Sequence, residues 1–587
     1  MKIKYHNGKI CMGRTKIHLD DLQPYKLEFI MLKYSEIIDY LADYLIIDGI
    51  NYAYLINYFM LYSSSYFSSP GLDTILGYLY VLDKYIKDDI ELEISEQFPN
   101  CFEECARMVC NQKGYNLKVV KENYPRSKFD FLYNVNFFVK NELRLRLLLR
   151  LFIGGVRRLL GKHNHKKVDV LFLSNIRFST HDEHNNQLFG KLISELDKQN
   201  VNCKVLRYEV VEQTSNLFRY IKKYMLEKES YIGDYYSPLH FLRVEQNMNK
   251  LSRKWKQLKK ECSLKEKFSW KNYNFFKLFE PRLELIFSAL AYLAADTCQI
   301  TKTIKQKEDY SVLVIDHEDN MYGKGFMLNG SNKTLGLAHE LIYPGTMSTY
   351  IKSEKARNKL LPCWRPLPDI KCVWGEYSKK VLLDSCNYNS ENIVVTGNPK
   401  FDDLLTKEFN CEGIIKRLSL SRKPKLLFAS QMKLESYKWV HEIGKQNPQY
   451  EILFKPHPRE DEAKVLKFYK GSKYVKVLPK FTPIPELLAI SDYVMTFNST
   501  VGFEAMLMDK IVFILNLKKQ SFHGLNYVNS GAAIEITNLN QLKQILTTIN
   551  KKTQIQKTKN FINTIHINDG EATQRVVKQI LRLKEMR

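Results

Sequence analysis

Lys455, His457 and Arg459 fall within KPHPRE, where the apolar run YEILF gives way to polar and cationic side chains set between prolines. Prolines fix a backbone at the end of a strand, and an imidazole fixed there beside cations suits an anionic group such as a phosphate. A second run, FNSTVGFEAM, carries Asn498, Ser499 and Thr500 where an apolar strand passes into a helix. The first amides and hydroxyls of such a helix form a seat for a phosphate, although a plain N-cap uses the same residue types. Glu504 follows Thr500 by four residues rather than the three of a capping box, which leaves its carboxylate for another task, such as a ribose hydroxyl pair. Upstream, DHEDN supplies Asp316 and Glu318, and LAHE supplies His339, all groups able to take a proton from a hydroxyl. Asp316, Glu318 and Asp319 could instead gather Mg²⁺ through oxygen ligands, but no Asp-x-Asp pair marks a strand end and no metal site is assigned.

These residues need elements to position them. From KKVDVLFLSN (166–175) onward, short continuous apolar runs alternate with helical stretches, the texture of buried parallel strands. One series runs through VNCKVLRYEV, a long Lys/Glu-rich helical insertion, YSVLVIDHEDN, KTLGLAHE, IKCVWGE and NIVVTGNPKFD. A polar stretch at 405–423 reads as a linker, and a second series follows in KPKLLFAS, YEILFKPHP, KYVKVLP, DYVMTFN and IVFILNL. The expected fold class is α/β, with two doubly wound Rossmann-like domains facing a cleft and ligands outside the carboxyl ends of the strands. The expected domains are a mainly helical N-terminal extension (1–166), an acceptor-side domain with its helical insertion (167–405), a nucleotide-donor domain (421–570) and a C-terminal helix (571–587). Near the end of the extension, VKNELRLRLLLRLFIGGVRRLLGKH puts Arg146, Arg150 and Arg157 on one helical face and Leu148, Leu151, Phe152 and Leu159 on another. Such a helix either lies on an anionic membrane surface or packs in a core with its cationic face solvated, and Gly154-Gly155 weakens it in both cases.

The 587 residues exceed one ordinary domain, and 44% hydrophobic with 26% charged residues is a globular composition. A net charge of +25 points to an anionic partner. Nucleic acid is one candidate, with 36 Tyr and 32 Phe available for stacking, but no zinc finger, RNA-recognition signature or compact basic arm accompanies them, and no nucleic-acid partner is assigned. The closest of the eleven cysteines, Cys101, Cys105 and Cys110, lack zinc spacing and read as buried thiols of a reducing compartment. The first thirty residues show no secretory h-region. The most apolar windows, 40–66 and 283–295, are broken by Asp43 and Asp48 or are too short to span a bilayer. A cytoplasmic protein, peripheral at the inner face of the cell membrane, is the expectation.

The order of strand–HP, strand–NST–helix with its glutamate, and DGEATQRVV (569–577) resembles the nucleotide-binding half of GT-B glycosyltransferases of capsule and surface polysaccharide synthesis. It is similar to the polysialyl and glycerophosphate polymer transferases and, more distantly, to the UDP-GlcNAc 2-epimerases. VVTGNPKFD, VWGEYSKKVLL, LAHELIYPGTMSTY and DHEDNMYGKG resemble further segments of that group, and the likeness runs from Lys166 to the C terminus. Ala338-His339-Glu340 stands where those proteins often carry QHG, so the loop glycine is missing. The resemblance implies an inverting, metal-independent transfer of a sugar, or as the lesser alternative an alditol phosphate. The group would pass from a nucleotide donor to a surface polysaccharide or glycolipid, with no tightly bound cofactor. It implies a donor site at Lys455, His457, Arg459, Asn498, Ser499, Thr500 and Glu504, and a base among Glu318, Asp316 and His339 across the cleft. Nucleotide-sugar epimerisation on the same fold and a non-catalytic basic scaffold are the other readings.

Overall fold

The computed structural model describes the chain except residues 7–8, 13–14, 19–27, 62–69, 95–100, 122–134, 162–167, 176–188, 209–220, 222–223, 226–228, 331, 343–365, 387, 459, 498, 518–526 and 587. Two units divide it. The first comprises Met1–Lys371, Val381–Ile393 and Gln579–Arg587, and the second Cys372–Lys380 and Val394–Lys578.

The first unit opens with strands β1 (Lys2–His6), β2 (Lys9–Met12), β3 (Thr15–His18), β4 (Ile90–Ile94) and β5 (Leu117–Lys121), which form one sheet in the order β3-β2-β1-β4-β5. β1 pairs with β2 antiparallel and with β4 parallel. The region read as mainly helical does carry helices, and it carries this sheet as well. The alternation in KIKYH and IELEI lasts only five residues, too short to stand out from the helical texture around it. Its apolar side chains, from Ile3 to Cys110, join a single core that extends to Leu328.

The second sheet of this unit takes β6 (Val170–Asn175), β7 (Cys203–Tyr208), β8 (Ser230–Tyr231), β9 (Val312–Ile315), β10 (Lys333–Leu337), β11 (Ile370–Val373) and β12 (Ile393–Val395) in the order β8-β7-β6-β9-β10-β11-β12. Its last two strands lie where the chain passes between units. Every residue of β6 and β9 is buried, and they pair in parallel, Val312 opposite Val170, as strands covered on both faces must.

Three helices of this unit matter below: α1 (Val135–Leu159), α2 (Pro238–Leu258) and α3 (Ala291–Lys307). Of the two readings of α1, the structure contradicts the one with a core-packed apolar face and a solvated cationic face. Arg150 and Arg157 point inward and are 3% and 0% exposed, while Leu148 and Phe152 are 46% and 65% exposed. Arg157 donates from Nε to Asp234 Oδ1 at 2.6 Å and from Nη2 to Oδ2 at 3.1 Å, and Arg150 Nη1 donates to Asp296 Oδ2, on α3, at 3.0 Å. Buried carboxylates override the simple polarity pattern because a charge can enter a core only when it is paired. Gly154 permits the approach that makes these pairs: a Cβ there would lie 1.8 Å from the Gly233 carbonyl oxygen.

The second unit holds β13 (Lys425–Ala429), β14 (Glu451–Lys455), β15 (Val475–Val477), β16 (Tyr493–Thr496), β17 (Ile511–Leu515) and β18 (Ile534–Ile536), all parallel, in the order β15-β14-β13-β16-β17-β18. Its helices include α4 (Glu435–Gln446), α5 (Thr500–Leu507) and α6 (Ala572–Glu585). Part of the expected linker at 405–423 is a helix, Cys411–Arg417, capped by Asn410. The fold class is α/β with two doubly wound Rossmann-like sheets, as the sequence implied.

Candidate functional sites

In both doubly wound sheets the strand order reverses between the first strand of the sheet and the fourth, and at such a reversal ligands bind outside the carboxyl ends of the strands. In the second unit the pair is β13 and β16. β13 ends in Ser430-Gln431-Met432, and β16 leads into Phe497 and Ser499. Gln431 Oε1 accepts from the Phe497 amide at 3.2 Å and from Thr496 Oγ1 at 3.4 Å, which ties the two strand ends together. Met432 has φ +62°, a left-handed conformation uncommon for a side chain of its kind, and Lys433 Nζ sits 4.3 Å from the centre of the Phe497 ring. Gln431, Met432 and Lys433 were not singled out from the sequence, because only the strand order reveals that β13 and β16 are neighbours.

Ser499 is the N-cap of α5, its Oγ accepting from the Val501 amide at 3.3 Å, and Thr500 is exposed on the first turn. The remaining first-turn amides and the exposed hydroxyl stand at the strand-to-helix junction that FNST was expected to form. Asn498 and Arg459 lie outside the described residues.

β14, next to β13, ends in the KPHPRE loop, and one buried carboxylate organises that loop. Glu460 accepts from Ser430 Oγ at 3.0 Å, from Tyr437 OH on α4 at 2.5 Å and from the His457 amide at 2.9 Å. His457 is half-buried. Lys455 departs from the expectation that it faces a phosphate: its Nζ donates to the Pro456 and Lys480 carbonyl oxygens at 3.0 and 2.6 Å, and burial lowers its pKa to about 8. Glu504 departs too. Its carboxylate is not left over but receives Lys400 Nζ at 2.6 Å.

Lys400 belongs to VVTGNPKFD, and the structure explains that motif together with DGEATQRVV. Gly397 has φ +79°, and a Cβ there would lie 3.0 Å from the Ala572 Cβ. The Asn398 amide donates to His566 Nε2 at 2.9 Å, and burial, with the nearby Arg575 charge, keeps that imidazole neutral with a pKa of about 4. Asp402 caps α6, accepting from the amides of Ala572 and Thr573 at 3.1 and 2.7 Å and from Thr573 Oγ1 at 2.6 Å. Arg575 grips Asp569 through two bonds of 2.7 Å. The two motifs are each other's partners and form a clasp.

In the first unit the reversal lies between β6 and β9, and Asp316 follows β9 at that point. Asp316 is 1% exposed, accepts from Tyr208 OH at 3.2 Å, and has no partner for Oδ2 among the described residues; burial raises its pKa. Beyond β10, His339 presents Nδ1 to the Asp316 carbonyl oxygen at 2.9 Å. A carbonyl oxygen only accepts, so Nδ1 carries the proton and Nε2 keeps its lone pair. The His339 ring stacks obliquely on His317, with centroids 3.6 Å apart. Burial opposes charge on His317, but Asp319 at 3.7 Å and Asp316 outweigh it and raise its pKa to about 9. Burial and the His317 charge lower the His339 pKa to about 3. One imidazole is thus held charged and the other neutral.

Glu318 is not part of this pair. Its carboxylate forms a buried ion pair with Lys371 and accepts from Tyr388 OH at 3.3 Å. An acceptor so engaged is a poor base, whereas His339 Nε2 and Asp316 Oδ2 each keep a lone pair to offer. Among the described residues no cluster of three or more His, Cys, Asp or Glu could hold a metal ion.

Residues 368–582 match the family CDP-Glycerol:Poly(glycerophosphate) glycerophosphotransferase. The glycerophosphotransferase match takes in β11 through most of α6, with Gln431, His457, Ser499, the Lys400–Glu504 pair and the whole clasp. It stops short of Asp316, Glu318 and His339. An uncharacterized protein of Methanocaldococcus jannaschii is 24% identical over 410 residues, covering 64% of this chain and 68% of its own. Among solved structures, a UDP-N-acetylglucosamine 2-epimerase is similar over 72% of this chain and 97% of its own, at 15% identity and a TM-score of 0.42. The wall teichoic acid polymerase TagF is similar over 77% and 98%, also at 15% and 0.42. The family match agrees with the resemblance to glycerophosphate polymer transferases drawn from HP, NST and DGEATQRVV.

Proposed function

We propose that the protein is a transferase of surface-glycan synthesis that moves an alditol phosphate, or a sugar, from a nucleotide-activated donor to a polymer or glycolipid acceptor. The glycerophosphotransferase match over 368–582 supports transfer and favours the alditol phosphate, reversing the preference stated from sequence. The observation that carries the reading is the strand-order reversal inside that match, where the start of α5, the Gln431 bridge and the His457 loop lie at the carboxyl ends of adjacent strands.

In this reading the α5 amides, Thr500 and His457 hold the donor phosphates. The acceptor hydroxyl oxygen attacks the distal phosphorus, the bond from that phosphorus to the bridging oxygen breaks, and the nucleoside monophosphate leaves. His339 Nε2 takes the acceptor proton, and His457 donates a hydrogen bond to the departing phosphate. No tightly bound cofactor enters the scheme.

The test is a thermal-shift panel of CDP-glycerol, CDP, UDP, GDP and ADP, followed by assay for released CMP. A ligand at about 100 times its Kd stabilises the folded state by about 2.7 kcal/mol. A shift with cytidine nucleotides that His457→Ala removes, together with CMP release from CDP-glycerol in the presence of acceptor, is expected. A panel in which no nucleotide shifts the protein overturns the proposal.

A further inference from the structure

Helix α1 leaves an apolar surface in solvent. Leu145, Leu148, Phe152 and Leu159 are 65%, 46%, 65% and 89% exposed, and Leu160 continues the run. Their spacing of three, four and seven residues keeps them on one face, while Leu143, Leu147, Arg150, Ile153 and Arg157 fill the opposite, buried one. α2 extends the surface. Tyr236, just before α2, meets Arg150, and Glu245 on α2 meets Arg144, so α2 lies alongside this stretch of α1. Between those two anchors Leu239 and Leu242 are 53% and 57% exposed.

So many large apolar side chains gathered on two adjacent helices exceed the scattered exposure normal to a protein surface. Phe276–Lys307 is, among the described residues, the one helical stretch long and apolar enough to cross a membrane, yet 83% of its apolar window is buried inside the protein. That stretch is hidden, whereas α1 turns apolar side chains to solvent. Charge identifies what covers it. Arg243 is exposed beside Leu242, and Arg146, paired with Glu142, and Arg158, which also donates to the Asp234 carbonyl oxygen, are half-buried at the border of the leucines. A second copy docked about a twofold axis would bring these cations against their own equivalents. An anionic bilayer accepts both the apolar side chains and the cations.

We propose that the outer face of α1, with the start of α2, seats the protein on a membrane rich in anionic lipids, Phe152 and the leucines entering the interface and the arginines meeting the headgroups. The proposal is independent of the transferase reading. It is tested by sedimenting the full chain with vesicles of phosphatidylcholine alone or mixed with phosphatidylglycerol. The wild type is expected to pellet with the mixed vesicles and to be released by salt. Leu148→Glu/Phe152→Glu is expected to stay in the supernatant with an unchanged thermal midpoint. Phe152→Trp, in the otherwise native chain, is expected to gain a blue-shifted emission on the mixed vesicles once the wild-type spectrum is subtracted. Equal pelleting of wild type and double variant, or a subtracted Phe152→Trp emission that the vesicles do not shift, overturns the proposal. So does a wild-type dimer that the double variant converts to monomer.

Discussion

At the strand-order reversal of the first unit, the ends of β9 and β10 gather Asp316, His317 and His339 with their titrations forced apart by burial and by one another. At the corresponding place in the second unit, the ends of β13, β14 and β16 gather amides, hydroxyls and the Gln431 bridge, with the nearest lysine of KPHPRE turned to carbonyl oxygens. One topology thus carries two different sets of groups. The first reversal sets a charged imidazole beside a neutral one. The second presents fixed dipoles, and in the proposed reading these hold a phosphate without exchanging a proton.

The comparison breaks first at His339. His339→Ala is expected to lower turnover by about 10²–10⁴-fold while leaving the nucleotide thermal shift intact, whereas His457→Ala removes that shift. Loss of nucleotide binding in His339→Ala would erase the division. Lys371→Met strands the buried Glu318 carboxylate and is expected to cost about 3–5 kcal/mol, read by urea denaturation. A smaller loss would mean that Glu318 takes up a proton instead, leaving it available as an acid. Gln431→Ala frees the Phe497 amide and is expected to cost about 1–3 kcal/mol, appearing mainly as a raised KM for the donor, with Gln431→Glu restoring the acceptor.

The smallest effect is a pH dependence. His317 titrates near 9, above its ordinary value of about 6.5, so its contribution to stability is complete below pH 6.5 and is lost between 6.5 and 9. His339 titrates near 3, so its neutral form costs stability as pH falls from 6.5 toward 3. The wild-type thermal midpoint is expected to exceed that of His317→Gln by a margin that narrows from pH 6.5 to 9. A constant margin would show that His317 is not held charged.

Much of this was legible before any coordinates. Continuous runs such as VLFLSN and KLLFA read as buried parallel strands, and the residues that follow DYVMTF or sit between the prolines of KPHPRE read as strand ends, because those signals are local. Glu460 went unnoticed as the organiser of its loop, since its partners Ser430 and Tyr437 precede it by 30 and 23 residues. The five-residue strands of the N-terminal sheet were hidden for a different reason, being shorter than the helical texture around them.

The sequence by itself determined the α/β class, the positions of the strand ends and the chemical types gathered there, because a period of two or of about 3.6 residues and a proline act within one element. Tertiary structure alone decided how those types are used. It gave Glu504 to Lys400, turned Lys455 to carbonyl oxygens, made DGEATQRVV a clasp for VVTGNPKFD, and drew Arg150 and Arg157 inward to Asp296 and Asp234. The physical reason is the same in each case: a buried charge takes whichever partner the fold brings near, and chain periodicity carries no record of that partner.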